Sequence, residues 1–444
     1  MNAASGPSDR LSAHDTLYFA SSNASVPLSV AGLFSVGRDR DGASLAADRL
    51  SRHLEERLDA LPRFRQVVRP LPLRVAAPRW VDDASFTVAR HVHVHRLPEP
   101  ARPDELEAFI ARLNGRELDA RFPLWEIHLL EGAADGRTAM LMRWHHAMVD
   151  GMSAVHVIRT LVDGGPRSLV APKSDGSRVG ETKTSAGAQE SLEGWLALLR
   201  AATGPPRFVP GRGRARWASV SFQERELRAT ARRLGASLNE IVAALSVGAI
   251  AHVLAARGDT RPDDTVRTLI PTVTPARDRE RALGNHGAHF VTNLPVSPME
   301  EDDRVRLVVD AMRKGRRSHQ VEAIARGMER LEGAPVPVIL LFAKIAGVTG
   351  PGEAGAIDLI VSFIPGPRRG LSLAGHPLEA AFPVLPIGPR ARLTVGGVSL
   401  GGTVGIGVTA GTDVIPELDL FMYGLRRAAG RLGVPPVESA TRLP

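Results

Sequence analysis

The stretch RWHHAMVDG, residues 143–151, sets two histidines side by side and an aspartate four residues after the second. WEIHLLEG (Trp125–Gly132) and TAMLMRWHH (Thr138–His146) flank AADGR, where Asp135-Gly136 is a hairpin signal, so His145 is expected at the end of a strand. After Gly151, MSAVHVIRTLVD resumes apolar residues at helical spacing until Gly164. The motif therefore falls on a strand-to-helix connection, a place where side chains are presented at a cleft. His145 points away from the side His146 takes, which makes the pair one reacting ring and one supporting ring. A histidine titrating near neutrality takes a proton from an alcohol or amine attacking an activated carbonyl, help worth roughly 10²–10⁴ in rate. Asp150 orients the ring or pins the loop through an arginine, and Gly151 permits a tight turn beside it. Without further context such a trio is more often structural than catalytic.

The 444 residues suit two domains or one large two-lobed unit, and the apolar fraction of 43% suits a folded core. No cysteine is present, which excludes disulfides, thiolate catalysis and zinc–cysteine sites and points to the cytoplasm. MNAASGPSDRLSAHD shows no apolar signal segment, and the longest apolar run, Ile241–Ala256, is short of a membrane span. The net charge is +8, carried by arginine in all but Lys173, Lys183, Lys314 and Lys344. Nucleic acid is disfavoured as a partner, because only 5% of residues are aromatic and the arginines are scattered among acids. An anionic surface, a phosphate-bearing substrate and a plain compositional preference for arginine stay open.

The segment 166–190, rich in Gly, Ser, Thr, Lys and Pro, reads as a flexible linker between an N-terminal lobe, 1–165, and a C-terminal lobe, 191–444. In the first half, Ala43–Leu61 has leucines at helical spacing and stops at Pro62. In the second, Ser237 and Glu240 form a capping box for a helix that Gly258 ends. Val266–Arg277, Gly284–Val296 and Asp358–Pro367 read as strands, and Arg392–Ile415 as a glycine-rich hairpin. The fold class is α/β in two lobes.

HHAMVDG matches the HHxxxDG signature of the CoA- and carrier-dependent acyltransferases. LSAHDTLYF (Leu11–Phe19), LPRFRQ (Leu61–Gln66), Trp80–Pro100 and LDARFPLWEIHLLEG (Leu118–Gly132) follow in an order that resembles the wax ester synthase/diacylglycerol acyltransferase family. SLNEIVAALSVGAI, LGNHGAHFVTNLPV and VSFIPGP stand where that family carries its NDxxL helix, LGN strand and SNxPGP turn.

The resemblance implies a chloramphenicol-acetyltransferase-like fold, two similar lobes with a tunnel between them. It makes His146 the general base, with acyl-CoA reaching it from one face and an alcohol (a fatty alcohol, a diacylglycerol or a related hydroxyl) from the other. His145 supports it, and Asp150 holds the loop in a salt bridge for which Arg277 is the candidate partner. Gly151 completes the motif, and Asn239, Asn285, Ser362 and Phe363 are substrate-binding candidates. No metal, cofactor or covalent enzyme intermediate is required beyond acyl-CoA as co-substrate. Association with a membrane surface or lipid droplet goes with lipid substrates, and Val336–Gly347 is the apolar segment that would make it, against a core helix as the alternative.

Phe363 stands where the family has asparagine, Glu240 where aspartate is common, and Val398–Gly402 where a tyrosine is frequent. All lie in the second lobe and bear on the acceptor. They keep open a specialised metabolite as hydroxyl or amine acceptor, a carrier-protein thioester as donor, and a non-catalytic lipid-binding homologue. Two further clusters carry a weaker signal. HVHVH (His91–His95) puts three histidines on one side of a strand, but lacks the further ligands a metal site needs. The arginine runs 277–281 and 313–317 suit CoA phosphates or plain solvated faces.

Overall fold

The structure, a computed structural model, describes residues 9–24, 26–71, 76–97, 102–132, 138–166, 188–201, 206–209, 211, 213–273, 284–285, 287–345 and 357–437. One six-stranded sheet combines β1 (Ser29–Val36), β4 (Val92–Arg96), β5 (Trp125–Glu131), β6 (Thr138–His145), β11 (Leu371–Leu373) and β12 (His376–Val384) in the order β11-β12-β1-β6-β5-β4. The second, also six-stranded, runs β7-β14-β13-β10-β8-β9, from β7 (Ala215–Gln223), β8 (Thr265–Val273), β9 (Gly287–Pro295), β10 (Leu359–Ile364), β13 (Leu393–Leu400) and β14 (Thr403–Gly411). A separate ribbon pairs β2 (Gln66–Arg69) with β3 (Arg79–Asp82). The helices are α1 (Ala13–Ser21), α2 (Ala47–Arg57), α3 (Pro103–Asn114), α4 (Gly151–Leu161), α5 (Ala188–Ala201), α6 (Glu224–Arg233), α7 (Leu238–Ala256), α8 (Glu301–Arg316), α9 (Gln320–Arg330), α10 (Val336–Ile345) and α11 (Leu418–Arg431).

β6 is central, between β1 and β5, and every one of its residues is buried, which is why TAMLMRWH shows no polar alternation. Met140, Met142 and Trp144 enter the core that includes Leu50, Leu54 and Trp125. Ala139 and Leu141 face the opposite core with Ala31, Leu33 and Ile110. Arg143, 1% exposed, stands on that second side and donates to Glu126 Oε2 (3.2 Å), Ser29 Oγ (3.3 Å) and the Arg116 carbonyl. In the other lobe α7 is buried all round, between β10, α8 and α11. Its length and hydropathy would suit a membrane span, but 78% of the apolar window is buried, so it is a core helix. The expected capping box opens it: Ser237 Oγ accepts the Glu240 N–H, and Glu240 Oε2 accepts the Ser237 N–H at 2.7 Å.

Division of the chain at 165 and 191 does not match the lobes. β11 and β12, far along the second half, complete the first sheet: β12 lies antiparallel to β1, with Leu33 opposite Phe382. Conversely, Ala13 and Leu17 of α1 pack into the second lobe's core. The crossing of β12 over the second sheet explains the glycine-rich hairpin. A β-carbon on Gly405 would stand 2.0 Å from the Ala381 carbonyl oxygen, and one on Gly407 only 1.9 Å from that of Pro383. The hairpin itself turns at Gly401-Gly402, both at positive φ. Of the expected linker, 167–187 lie outside the described residues, and its last residues are helical, in α5.

Candidate active site

The two histidines leave β6 in different directions. His145 is 4% exposed, and its Nδ1 accepts the Ala147 N–H at 3.0 Å, so its proton sits on Nε2. Burial, reinforced by its neighbour His146, pushes its pKa down to about 3, and the ring is neutral. His146 is half-buried where the lobes meet. Its Nδ1 lies 2.9 Å from Asn285 Oδ1, and the Tyr18 ring stacks on it at 4.1 Å with 9° between planes. Burial lowers its pKa as well; contact with its own carbonyl and the charges of Asp150 and Asp15 work in the opposite direction. Tyr18 remains a phenol, pushed up to about 12 by burial and then by the charges of Asp150 and Asp15.

Asp150 is the N-cap of α4: its Oδ1 accepts the Ser153 N–H at 2.7 Å, which satisfies one of the free donors at the helix start. Its other expected tie, to Arg277, lies outside the described residues. The hydrogen bond that orients the His146 ring comes from Asn285. Asp150 influences the ring through its charge. Gly151 serves close packing, since a β-carbon there would stand 2.9 Å from Ile364 Cδ1. Ser153 Oγ donates to the Gly284 carbonyl at 3.0 Å, a second tie between lobes beside the histidine. Gly284 itself has φ 120°, a conformation open to glycine and strained for other residues, and it leads directly into Asn285.

Of the substrate-binding candidates, Asn285 alone is hydrogen-bonded to the motif. Asn239 is the second residue of α7, half-buried. Ser362 and Ile364 share one side of β10, toward Gly151. Phe363 turns the other way, against Gly397, and packs half-buried on the core of the second lobe. Ser399, in the hairpin where a tyrosine is frequent, accepts the Gly366 N–H at 2.9 Å and fixes the turn after β10. Sequence reasoning missed Asp15 and Tyr18, although LSAHDTLYF was in view; the S-x-x-D spacing looks like plain helix capping, and Ser12 does cap α1.

The three histidines of HVHVH do not share a side. His91 has helical backbone angles, stacks on Trp125 at 4.3 Å and meets its carbonyl through Nδ1. His93 and His95 face His128, which His95 Nε2 meets at 3.0 Å and which in turn meets Glu126. Arginines 277–281 lie outside the described residues, while Arg313 donates to the Gly235 carbonyl and Arg316 lies 3.9 Å from Glu240.

A cavity of about 300 Å³ opens on the His145 side, lined by Phe19, Leu71, Leu118, Leu124, His145 and Val336 among others. It is largely apolar, with the His145 ring among its few polar groups.

Residues 11–245 match the wax ester synthase/diacylglycerol acyltransferase catalytic domain and 283–432 the C-terminal domain of the same family. A probable diacylglycerol O-acyltransferase of Mycobacterium tuberculosis is 27% identical over 405 residues, 85% of this chain and 86% of that one. Among solved structures, the wax ester synthase/diacylglycerol acyltransferase of Marinobacter aquaeolei superposes with a TM-score of 0.67 at 19% identity, covering 95% of this chain and 98% of that one. A trichothecene 15-O-acetyltransferase of Fusarium sporotrichioides gives 0.66 at 12% identity, over 95% and 94%. The starter condensation domain of rhizomide synthetase gives 0.60 at 14%, over 96% and 94%. The two domain matches, in order and over most of its length, make this chain a member of the wax ester synthase/diacylglycerol acyltransferase family.

Proposed function

We propose that this protein transfers an acyl group from acyl-CoA to an alcohol, with His146 as general base. The observation that carries the base assignment is the ring's position: between the lobes, its pKa lowered by burial, with Nδ1 engaged by Asn285 and no hydrogen bond to Nε2 among the described residues. Nε2 takes the proton of the acceptor hydroxyl as its oxygen attacks the thioester carbonyl. The tetrahedral intermediate collapses with loss of the CoA thiolate, which recovers the proton from the imidazolium, giving ester and free CoA. The bound acyl-CoA in a condensation domain of the same fold supports the donor. The diacylglycerol O-acyltransferase relatives support a lipid hydroxyl as acceptor, and the apolar cavity beside His145 suits a hydrocarbon chain.

Access from a lipid surface fits the same picture. Leu192, Leu196 and Leu199 of α5 are 60%, 41% and 55% exposed, and Val338 and Leu341 of α10 are 45% and 57% exposed. Trp195 and Phe342 join the two helices edge to face at 5.6 Å, and Val336, at the start of α10, lines the cavity that reaches His145. Exposed apolar side chains on two helices, one of which begins at the cavity wall, are suited to peripheral contact with a lipid phase.

The test is free-thiol release from acyl-CoAs ranging from acetyl to palmitoyl, with and without hexadecanol or dioleoylglycerol. Acceptor-dependent release is expected. Release that ignores every alcohol would overturn the proposal and redirect attention to carrier-bound donors or amine acceptors.

A further inference from the structure

Asn285 sits within a four-part set of hydrogen bonds. Its backbone N–H and its Nδ2 both donate to Asp15 Oδ1, at 3.0 and 2.8 Å. The same Nδ2 donates to the His146 carbonyl at 2.6 Å, and Oδ1 lies 2.9 Å from His146 Nδ1. The orientation of an amide follows from its partners. With the group turned over, its oxygen would face a carboxyl oxygen and a carbonyl oxygen, three acceptors and no proton. The amino group must therefore face Asp15, and the amide oxygen must face the ring. An oxygen in that position requires a proton on Nδ1, which a neutral imidazole can supply only by leaving Nε2 bare.

Asp15 and Tyr18 lie one turn apart on α1 and meet this centre together, the first through Asn285 and the second by stacking on the ring. α1 packs mainly on the second lobe, with Phe19 near its end reaching the first: Ala13 and Leu17 enter the second lobe's core, and the Ala13 N–H donates to Glu332 Oε2 at 3.0 Å. Asn285 leads into β9 of the same lobe. The base thus comes from one lobe and the groups that set its proton from the other.

We propose that Asp15 and Asn285 are positioning residues that hold His146 in its Nδ1–H tautomer, so that the base is competent only when the second lobe is docked against the first. The proposal rests on His146 being the base, yet the tautomer can be read without turnover.

The measurement is long-range ¹H–¹⁵N NMR of the histidine rings in the full-length protein, with His146→Ala to assign the signals, alongside kcat, KM for palmitoyl-CoA and the pH profile. Wild type is expected to show Nδ1–H at His146. Asn285→Ala should shift population to Nε2–H and lower kcat by roughly ten- to a thousandfold, with KM within about twofold. Asp15→Asn, a milder change, should move in the same direction. The paired exchange Asp15→Asn with Asn285→Asp restores an oxygen acceptor at Nδ1; it should recover activity relative to Asn285→Ala and move the acid limb of the profile to higher pH. Melting curves confirm that each variant is folded, and if Asn285→Ala does not fold, Asp15→Asn and the exchange are decisive. An Nε2–H signal in wild type overturns the proposal, as does an unchanged tautomer in Asn285→Ala or Asp15→Asn. A normal Nδ1–H signal together with full activity of His146→Ala would instead refute the base assignment and leave the positioning geometry standing.

Discussion

The β-carbon that Gly151 lacks would stand 2.9 Å from Ile364 Cδ1, so the last residue of the HHxxxDG motif is where the start of α4 in one lobe meets a strand of the other. The obstacle is the far end of a side chain, which can yield. Gly151→Ala is therefore expected to cost about 1 kcal/mol, and Gly151→Val several times more as overpacking spreads. Ile364→Ala combined with Gly151→Ala should cost less than the sum of the two single changes. Additive melting data from that cycle would show that the two residues do not press on each other.

Where backbone rather than side chain is the obstacle, less tolerance is expected. Gly407→Ala would drive a methyl group into the Pro383 carbonyl oxygen at 1.9 Å, and neither strand can retreat without breaking its sheet. A loss of about 3 kcal/mol or more is expected, or failure to fold. Gly42, with nothing near its missing β-carbon but a φ of 80°, should lose only about 1 kcal/mol on the same change. Urea denaturation of the pair measures the difference.

His145 makes the fold sensitive to acid. Its folded pKa is about 3 and its ordinary value 6.5, so between these limits the unfolded chain binds a proton that the folded one refuses. Stability present above pH 6.5 is therefore lost as pH falls through that window, by up to about 1.4 kcal/mol per unit for one group. His289, lowered to about 4 chiefly by burial, adds to the same slope. In urea titrations from pH 7 to 4.5, His145→Gln should lower stability at neutral pH but flatten its decline with acid; a slope unchanged by the substitution would contradict the assignment.

Phe363 departs from the family at a position that suggested acceptor specificity, but its ring lies against Gly397 and the second lobe's core. Phe363→Leu should lower the melting temperature by a few degrees, for a cost of about 1–2 kcal/mol, and leave the ranking of alcohols intact. A change in that ranking without a change in melting would place the side chain in the acceptor pocket after all.

Much of this architecture was legible because it is local. The β5–β6 pair, the Ser237–Glu240 capping box and the β13–β14 hairpin each join neighbours in sequence and show in local pattern, while the expected Asp135-Gly136 turn lies outside the described residues. What stayed hidden is long-range. Nothing in HPLEAAFPV announces that it will pair with β1, some 340 positions earlier in the chain, in the first lobe's sheet. The close glycines of β14 show only that some backbone passes near. Asp15 carries the same signal as an ordinary capping residue, and its bond to Asn285 spans 270 positions. His91 escaped because one helical backbone angle breaks the alternation that would have placed it with His93 and His95.

The most direct measurement is the rate of acceptor-dependent thiol release by His146→Ala against wild type, at saturating palmitoyl-CoA and hexadecanol or dioleoylglycerol, whichever wild type accepts. With His146 as general base, the variant should retain its fold and its acyl-CoA affinity and lose roughly 10²–10⁴ in kcat. A folded variant turning over within a few-fold of wild type would show that the proton leaves the acceptor by another route.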